Sequence, residues 1–573
     1  TVSLIRGKQT LRIGLDVAQQ IEKDLIPFNT FGSLNFNKGG GFSALGNFLD
    51  DYLGPSGTAT ISAGSPRVDP HAFRQAYFVQ DDVKLNPDLT INLGLRYEYQ
   101  ANPENALKYP ALDPNNPFAP IDTVFKVKEA TKNFGPRIGI AYAPHGGASI
   151  LNDGKTVYHA GYGLFYDILF TNIVQNSAET APNVFAGTLT STQGRGLAGA
   201  FSQIANIQPV LSPHSTDETV TNNLINPQTH QWNLGIERQL PWNVKMTVNY
   251  VGTRGEHLFA NQQYNYFDYN TGSRLNPGRG SIIARGNFAD SIYHSLQTEV
   301  SHDFSHGVLI RGAWTYGKLL SDGDEVFATF NSPTSFSADL APGGRKYDWG
   351  NSAFDHRHFL AITYVWAVPG LHSSSRFADA FLSGATRHFT ISGISQFQSG
   401  PYSTVQINGI DINGDGNGGN DRPLLINKNA PNDSVGIDDF IVDPNQNNIG
   451  AFYVDLKVNN ADGSLNPVDP TKVHWLIPYG PQYVHQGIGR NSFENPGLQF
   501  WNVSVQKDLP VHLPRLENSA FQLRAEALDI GNHNNVGPLD TNLLDVGSGT
   551  YFDKSSARES DGRQVRFWAK FVF

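Results

Sequence analysis

Cysteine is absent from the 573 residues and methionine occurs once, at Met246. Disulfides, thiol nucleophiles and thiolate metal sites are therefore excluded, and the lack of cysteine is compatible with export. Charge is also sparse. Asp, Glu, Lys and Arg make up 16% of the chain, where about 25% is usual. The net charge is −10 and Lys and Arg form no run, which argues against nucleic acid as a partner because phosphate neutralisation needs clustered cations. No apolar run reaches the ~20 residues of a membrane helix; "FLAITYVWAVP" covers only about half of that. There is no G-x-S-x-G elbow and no H-E-x-x-H, so nothing supports catalysis and the chain is not expected to be an enzyme. Thr1 is not a start methionine, and no leader-like segment precedes the first strand. The expectation is a processed product or a fragment.

What is abundant is aromatic residues, at 12%, together with 57 glycines and 33 prolines. That composition suits long strands joined by turn-rich loops. In "LTINLGLRYEY", Ile91, Leu93, Leu95, Tyr97 and Tyr99 share one face of an extended strand, opposite Asn92, Gly94, Arg96 and Glu98. The same alternation predicts 14 strands, near 10–19, 71–84, 90–100, 133–143, 155–167, 229–239, 244–252, 292–303, 307–319, 354–368, 388–400, 498–507, 519–530 and 561–573. Nothing comparable occurs at helical spacing. Soluble strands run about 5 to 6 residues, whereas tilted membrane-spanning strands need about 9 to 11. These are of the second kind.

The second face decides the architecture. Arg96, Glu98, Arg137, Glu237, Lys245, Glu299, Arg311, Arg524, Glu526, Arg566 and Lys570 lie where a sandwich would need a packed core. Buried unpaired, each would cost several kcal/mol. Facing a hydrated lumen they cost little, and the apolar face can then meet lipid. The fold expected is all-β, an antiparallel transmembrane β-barrel. Tight links such as "NPD", "PWN" and "SHG" alternate with long ones, roughly 20–70, 101–132, 168–228, 253–291, 320–353, 401–497 and 531–560. Short periplasmic turns and long extracellular loops are the outer-membrane arrangement. Two connections on the short side, 144–154 and 369–387, are longer than usual. Tyr97 with Tyr99, Trp314 with Tyr316, and Trp366 lie toward strand ends, as interfacial girdles do.

Five candidate sites were weighed. "DINGDGNGGNDRP" opens like a D-x-N-x-D-G calcium loop, with Asp411, Asn413, Asp415 and Gly416 in place. Arg422 occupies the twelfth position, where a bidentate Glu should close the shell, and Asp421 sits one place early. Calcium is the single cofactor considered, against an Asx-rich glycine turn. Gly414, Gly416 and Gly419 match G-x-G-x-x-G, but no helix pattern follows, which makes a dinucleotide site improbable. Asp355, His356 and His358 could suggest a metal or acid/base group, though no third ligand is placed and a structural role is expected. Asp50 with Asp51 and Asp81 with Asp82 are adjacent, so within a strand their side chains diverge. "NQQYNYFDYN", 261–270, could stack on a sugar or peptide.

The ordered set of motifs resembles a known family. "HAFRQAYFVQDDVKLNPDLTINLGLRYEY", then "NFGPRIGIAYAP" with "GKTVYHAGYGLFYD", is similar to paired strands of TonB-dependent outer-membrane receptors. "WNLGIERQLPWNVKMTVNYVGTRGEHL", "IYHSLQTEVSHDFSHGVLIRGAWTYGKLLSD", "FDHRHFLAITYVWAVP", "DINGDGNGGNDRP" and "FQLRAEALDIGNHNNVG" resemble the Oar-like branch, whose members carry an N-terminal carboxypeptidase-regulatory-like domain. The resemblance implies a 22-stranded barrel behind a plug and a TonB-binding segment, of which residues 1–573 would be the C-terminal portion. It also implies that the aromatic end of "RQVRFWAKFVF", with Phe567, Phe571 and Phe573, is read by the outer-membrane assembly machinery. Implied partners are outer-membrane lipid, the TonB complex through the missing plug, and an unknown extracellular ligand. Two alternatives are a passive channel closed by 14 strands, and a secreted all-β carbohydrate-binding or hydrolytic protein.

Overall fold

In the computed structural model the described residues are 1–573 except 26–30, 66, 103–106, 148–151, 191–198, 269–270, 306, 325–343, 371–373, 408–411, 413–420, 433, 439–452, 460–464, 481–482, 512–518 and 544–561. All 14 expected strands form, and the turn Gly7-Lys8 brings in one more ahead of them. In chain order they are β1 (Val2–Arg6), β2 (Gln9–Ile21), β3 (His71–Asn86), β4 (Leu89–Gln100), β5 (Asn133–Tyr142), β6 (Thr156–Tyr166), β7 (Gln228–Leu240) and β8 (Val244–Gln263). Then follow β9 (Ile282–Ser305), β10 (Val308–Ser321), β11 (His358–Val368), β12 (Phe389–Gln398), β13 (Leu498–Pro510), β14 (Ala520–Leu528) and β15 (Gln564–Val572). Each pairs antiparallel with the next along the chain. Among the described residues no pairing joins β1 to β15.

Register turns the alternation into two faces. Residues directly opposite in an antiparallel ladder point the same way, and Ile13 pairs with Val79, Val79 with Leu95, and Leu95 with Pro136. Leu15 is 65% exposed and Leu234 60% exposed, which in water would be costly but suits contact with lipid. The opposite face is held by its own polar pairs. Arg12 reaches Asp82 at 2.8 Å, Arg311 Nε donates to Glu299 at 2.9 Å, and Trp568 Nε1 donates to Glu526 at 3.1 Å. All eleven expected lumen residues fall on this polar face by register. The tight turns follow local chemistry: Gly307 adopts φ +82°, where an added Cβ would also meet the Ala367 carbonyl at 2.7 Å.

Two expected boundaries need correction, and two connections carry structure of their own. β8 runs on to Gln263 and β9 begins at Ile282, so much of the expected loop 253–291 is a hairpin extension, reached through a register shift near Leu258 with His257 at φ +58°. β11 starts at His358, because the chain before it turns at Ser352–Asp355, where the Asp355 amide donates to the Ser352 carbonyl at 3.1 Å. The loop 401–497 contains a five-stranded sheet: Leu424–Leu425, Val435–Asp438, Tyr453–Asn459, Leu465–Val468 and Trp475–Ile477. One short-side connection contains a helix, Arg376–Thr386. No helix among the described residues is long and apolar enough to cross a membrane.

Candidate functional site

The long connections leave one end of the sheet and fold upon one another. Val68 from the first, Ala111 from the second, and Leu169, Ile173, Val220 and Leu224 from the third share one apolar cluster. Val405, Ile407, Ile437, Trp475 and Ile477 form another with Leu543 from the last long connection. The loops therefore make a packed layer with cores of its own.

Between the first three loops lies a cleft of about 600 Å³, within the size range of small-molecule sites. Arg67 and Asp69 line one side, paired at 2.5 Å, while Lys108, Tyr109 and Phe185 supply a cation and two rings. The Lys108 Nζ sits 5.0 Å from the Tyr109 ring centroid. Buried Asn183 fixes this wall, since its Nδ2 donates to the Ser177 carbonyl at 2.8 Å and the Tyr109 carbonyl at 3.3 Å. Rings and a cation beside an acid can stack on an apolar or sugar face and bind hydroxyl or carboxylate groups.

Behind the cleft, and sharing Tyr109, Pro182 and Asn183 with it, is a cavity of about 30 Å³ against Asp217 and Arg279. Burial pushes the Asp217 carboxyl up to about 7 although Arg279 Nη2 at 3.6 Å pulls it down, and Glu218 adds to the rise. Burial likewise lowers the Arg279 guanidinium, against the pull of Asp217. The carboxyl is raised above its unfolded value of about 3.9, so its contribution to stability is complete below that value and is lost as pH rises through about 7. Hydrogen exchange at Asp217–Thr221, corrected for intrinsic rates, is expected to speed up between pH 5 and pH 8. Asp217→Asn, which mimics the neutral carboxyl, should flatten that dependence; an unchanged slope would refute it.

A second constellation is a buried ionic seam. The Arg490 guanidinium, 2% exposed, meets Asp324 at 2.7 Å, Ser321 Oγ at 2.7 Å and the Asp348 carbonyl at 2.7 Å. Asp324 also accepts from Asn491 Nδ2 at 3.0 Å and from the Ala353 amide at 3.1 Å. Burial pushes the Asp324 carboxyl up, yet Arg490 and these hydrogen bonds outweigh it and the net direction is down. Arg422 pairs with Asp348 at 2.7 Å and lies 3.5 Å above the Tyr347 ring. The long connections 320–353 and 401–497 are joined in this way.

The expected site residues fare unequally. Asp411, Asn413 and Asp415 lie outside the described residues, while Asp421 is buried and accepts the Ile412 amide at 2.9 Å. Among the described residues no group of three or more His, Asp or Glu could hold a metal. Asp355 is buried, accepting the Leu319 amide at 3.1 Å and pairing with Arg357 at 3.0 Å. His356 bonds the Ser399 carbonyl, and His358 stacks on Trp314 at 6.0 Å. Asp82 turns to the polar face and Asp81 to the other, opposite Leu11 and Leu93. Asp51 accepts the Phe201 amide at 2.9 Å. In "NQQYNYFDYN" the suggestion of ligand stacking fails for Tyr264 and Asn265. Both are buried, and Asn265 donates to three carbonyls of its own loop. Phe567, Phe571 and Phe573 share the apolar face, with Phe571 packed on Phe521 at 4.9 Å. Sequence reading missed Lys108, Tyr109, Asp217 and the Asp324–Arg490 pair, because none sits in a local pattern.

Comparison with known proteins adds a family. Residues 1–566 match the model of the outer membrane beta barrel domain. No curated protein matches. Among solved structures, the outer membrane transporter YddB from Escherichia coli is similar, with a TM-score of 0.48 and 9% identity over 99% of this chain and 52% of that one. The siderophore receptor PirA from Acinetobacter baumannii gives 0.42 and 10% over 100% and 53%. A variant of the ferric enterobactin receptor PfeA from Pseudomonas aeruginosa gives 0.45 and 10% over 98% and 50%. The chain thus spans about half the length of these structures.

Proposed function

This chain belongs to the outer membrane beta barrel domain family, and from that premise we propose that it is the C-terminal barrel portion of a TonB-dependent receptor that captures a ligand at its extracellular loops. It is a Gram-negative outer-membrane protein, which removes the secreted, soluble alternative. The observation that carries the proposal is the packed loop layer with its cleft of about 600 Å³. A layer stiffened by its own cores and by a buried ionic seam is suited to presenting a fixed binding surface. The quoted motifs support the Oar-like branch and, through it, a plug, further strands toward 22, a TonB partner and recognition of Phe573 by the assembly machinery. Lipid contacts the apolar face and water fills the space beside the polar one. Calcium at Asp411, Asn413, Asp415 and Asp421 belongs to the same proposal and rests on the sequence pattern. No chemistry on a substrate is proposed.

The test is equilibrium binding of oligosaccharides, oligopeptides and ferric chelates to the complete purified protein. One class is expected to bind selectively, and Lys108→Ala or Tyr109→Ala is expected to weaken it about tenfold, as loss of a cation–π or stacking contact does. If no class binds and planar bilayers show steady ligand-independent conductance, the protein is a passive channel and the proposal fails.

A further inference from the structure

The helix Arg376–Thr386 lies where outer-membrane proteins have a tight turn, between β11 and β12 at the end opposite the loop layer. Lys507 fixes which side of the sheet it occupies. By register Lys507 stands on the apolar face, directly opposite Phe389 and Leu523. Its Nζ lies 4.3 Å from the Phe389 ring centroid and donates to the Gly384 carbonyl at 3.0 Å and the Arg387 carbonyl at 3.2 Å. The last turn of the helix is thereby tied to the lipid-facing side, and the lysine charge is placed against helix C-terminal carbonyls that favour it.

At two positions, Ser383 and Phe377, the helix is also turned the wrong way for water. Ser383 is 9% exposed, whereas Phe377 is 86% exposed. A surface helix of a soluble domain does the reverse, burying its apolar side and solvating its polar one. Exposed Arg376 and Arg387 flank the two ends of the helix, Arg387 beside Lys507, with Asp379 the one acid within the helix. Apolar ring outward, cations at the margins and continuity with a lipid-facing strand surface together specify one partner.

We propose that Arg376–Thr386 is an in-plane membrane anchor that seats Phe377 among the acyl chains of the periplasmic leaflet, with Arg376 and Arg387 against anionic phospholipid headgroups. This goes beyond ligand capture and requires only the outer-membrane setting, with the long loops outside. The absence of cysteine from this chain makes a single-site spin label clean. Phe377→Cys and Asp379→Cys would each be labelled in the complete protein, with any cysteine elsewhere in it replaced, folded into vesicles of phosphatidylethanolamine and phosphatidylglycerol. Collision with oxygen, which concentrates in lipid, is compared with collision with a water-soluble nickel chelate. The oxygen-to-nickel ratio at 377 is expected to exceed that at 379 several-fold, and to fall to parity in lipid-free detergent-exchanged amphipol. A label at 377 that is freely nickel-accessible in vesicles overturns the proposal in favour of a solvated turn. A label there that neither reagent reaches overturns it in favour of a protein contact. Neither outcome bears on ligand binding at the loops.

Discussion

Replacing Arg490 with alanine is expected to open the loop layer while the strand meander stays folded. The guanidinium and the Asp324 carboxylate it meets at 2.7 Å are both almost fully buried, with side-chain exposures of 1% and 0%. Removing the cation leaves a buried carboxylate held by hydrogen bonds alone, a change that costs ~3–5 kcal/mol in comparable pairs. Since 1.4 kcal/mol is a factor of ten, local opening should become about a hundredfold or more frequent. Arg311→Ala is the control. Arg311 pairs with Glu299 at 2.8 Å but is 61% exposed, so solvent screens the pair and its loss should have little effect on stability. Trypsin cleavage within the long loops reads the first effect, and heat-modifiable migration of the barrel reads the second.

The pH dependence of that variant is a sharper check because its sign reverses. In the parent, Asp324 is lowered on balance, so its contribution is present above the unfolded value of about 3.9 and is lost as pH falls through the lower folded value. Without Arg490, burial is the largest remaining influence and raises the carboxyl. Stability of the loop layer in Arg490→Ala should then improve on mild acidification, where the parent is flat or weakens. A variant as protease-resistant as the parent, or one with the parent's pH response, would show that the seam does not hold the loops.

How much of this was legible in the sequence depends on the range of the interaction. Period-two alternation is local, and it placed every long strand and put the eleven charged residues from Arg96 to Lys570 on the polar face. It failed where a local irregularity is absorbed by distant pairing. His257 takes a left-handed conformation and the ladder shifts, yet β8 and β9 continue together beyond it. It says nothing of the loops, where Arg490 finds Asp324 166 residues away and Asn183 finds Tyr109 74 residues away. Nothing near Arg490 in the chain announces a buried cation. Arg422, which the sequence marks only as the wrong residue for the twelfth place of a calcium loop, is paired with Asp348 and laid on Tyr347. The helix Arg376–Thr386 was hidden by its shortness, since eleven residues give few turns for a period to register.

Leu234→Arg and Asn233→Arg, neighbours in β7, are expected to behave oppositely when the protein folds into vesicles. Both parent residues are exposed, so in water the two substitutions would be nearly equivalent and nearly neutral. In lipid they are not. Leu234 lies at the middle of Gln228–Leu240 and is opposite Ala160 and Tyr250 on the apolar face, whereas Asn233 is opposite Gly161 and Val251 on the polar one. An arginine at the bilayer midplane costs ~2–4 kcal/mol in a transmembrane strand, and one facing water costs little. The folded-to-unfolded ratio of Leu234→Arg from a urea titration should therefore fall by about 30-fold or more, by the tenfold per 1.4 kcal/mol relation, while Asn233→Arg stays near the parent. Equal effects at the two positions would mean that the exposed apolar rows meet something other than lipid, and the faces deduced from Ile91, Leu93 and Leu95 would have to be reassigned.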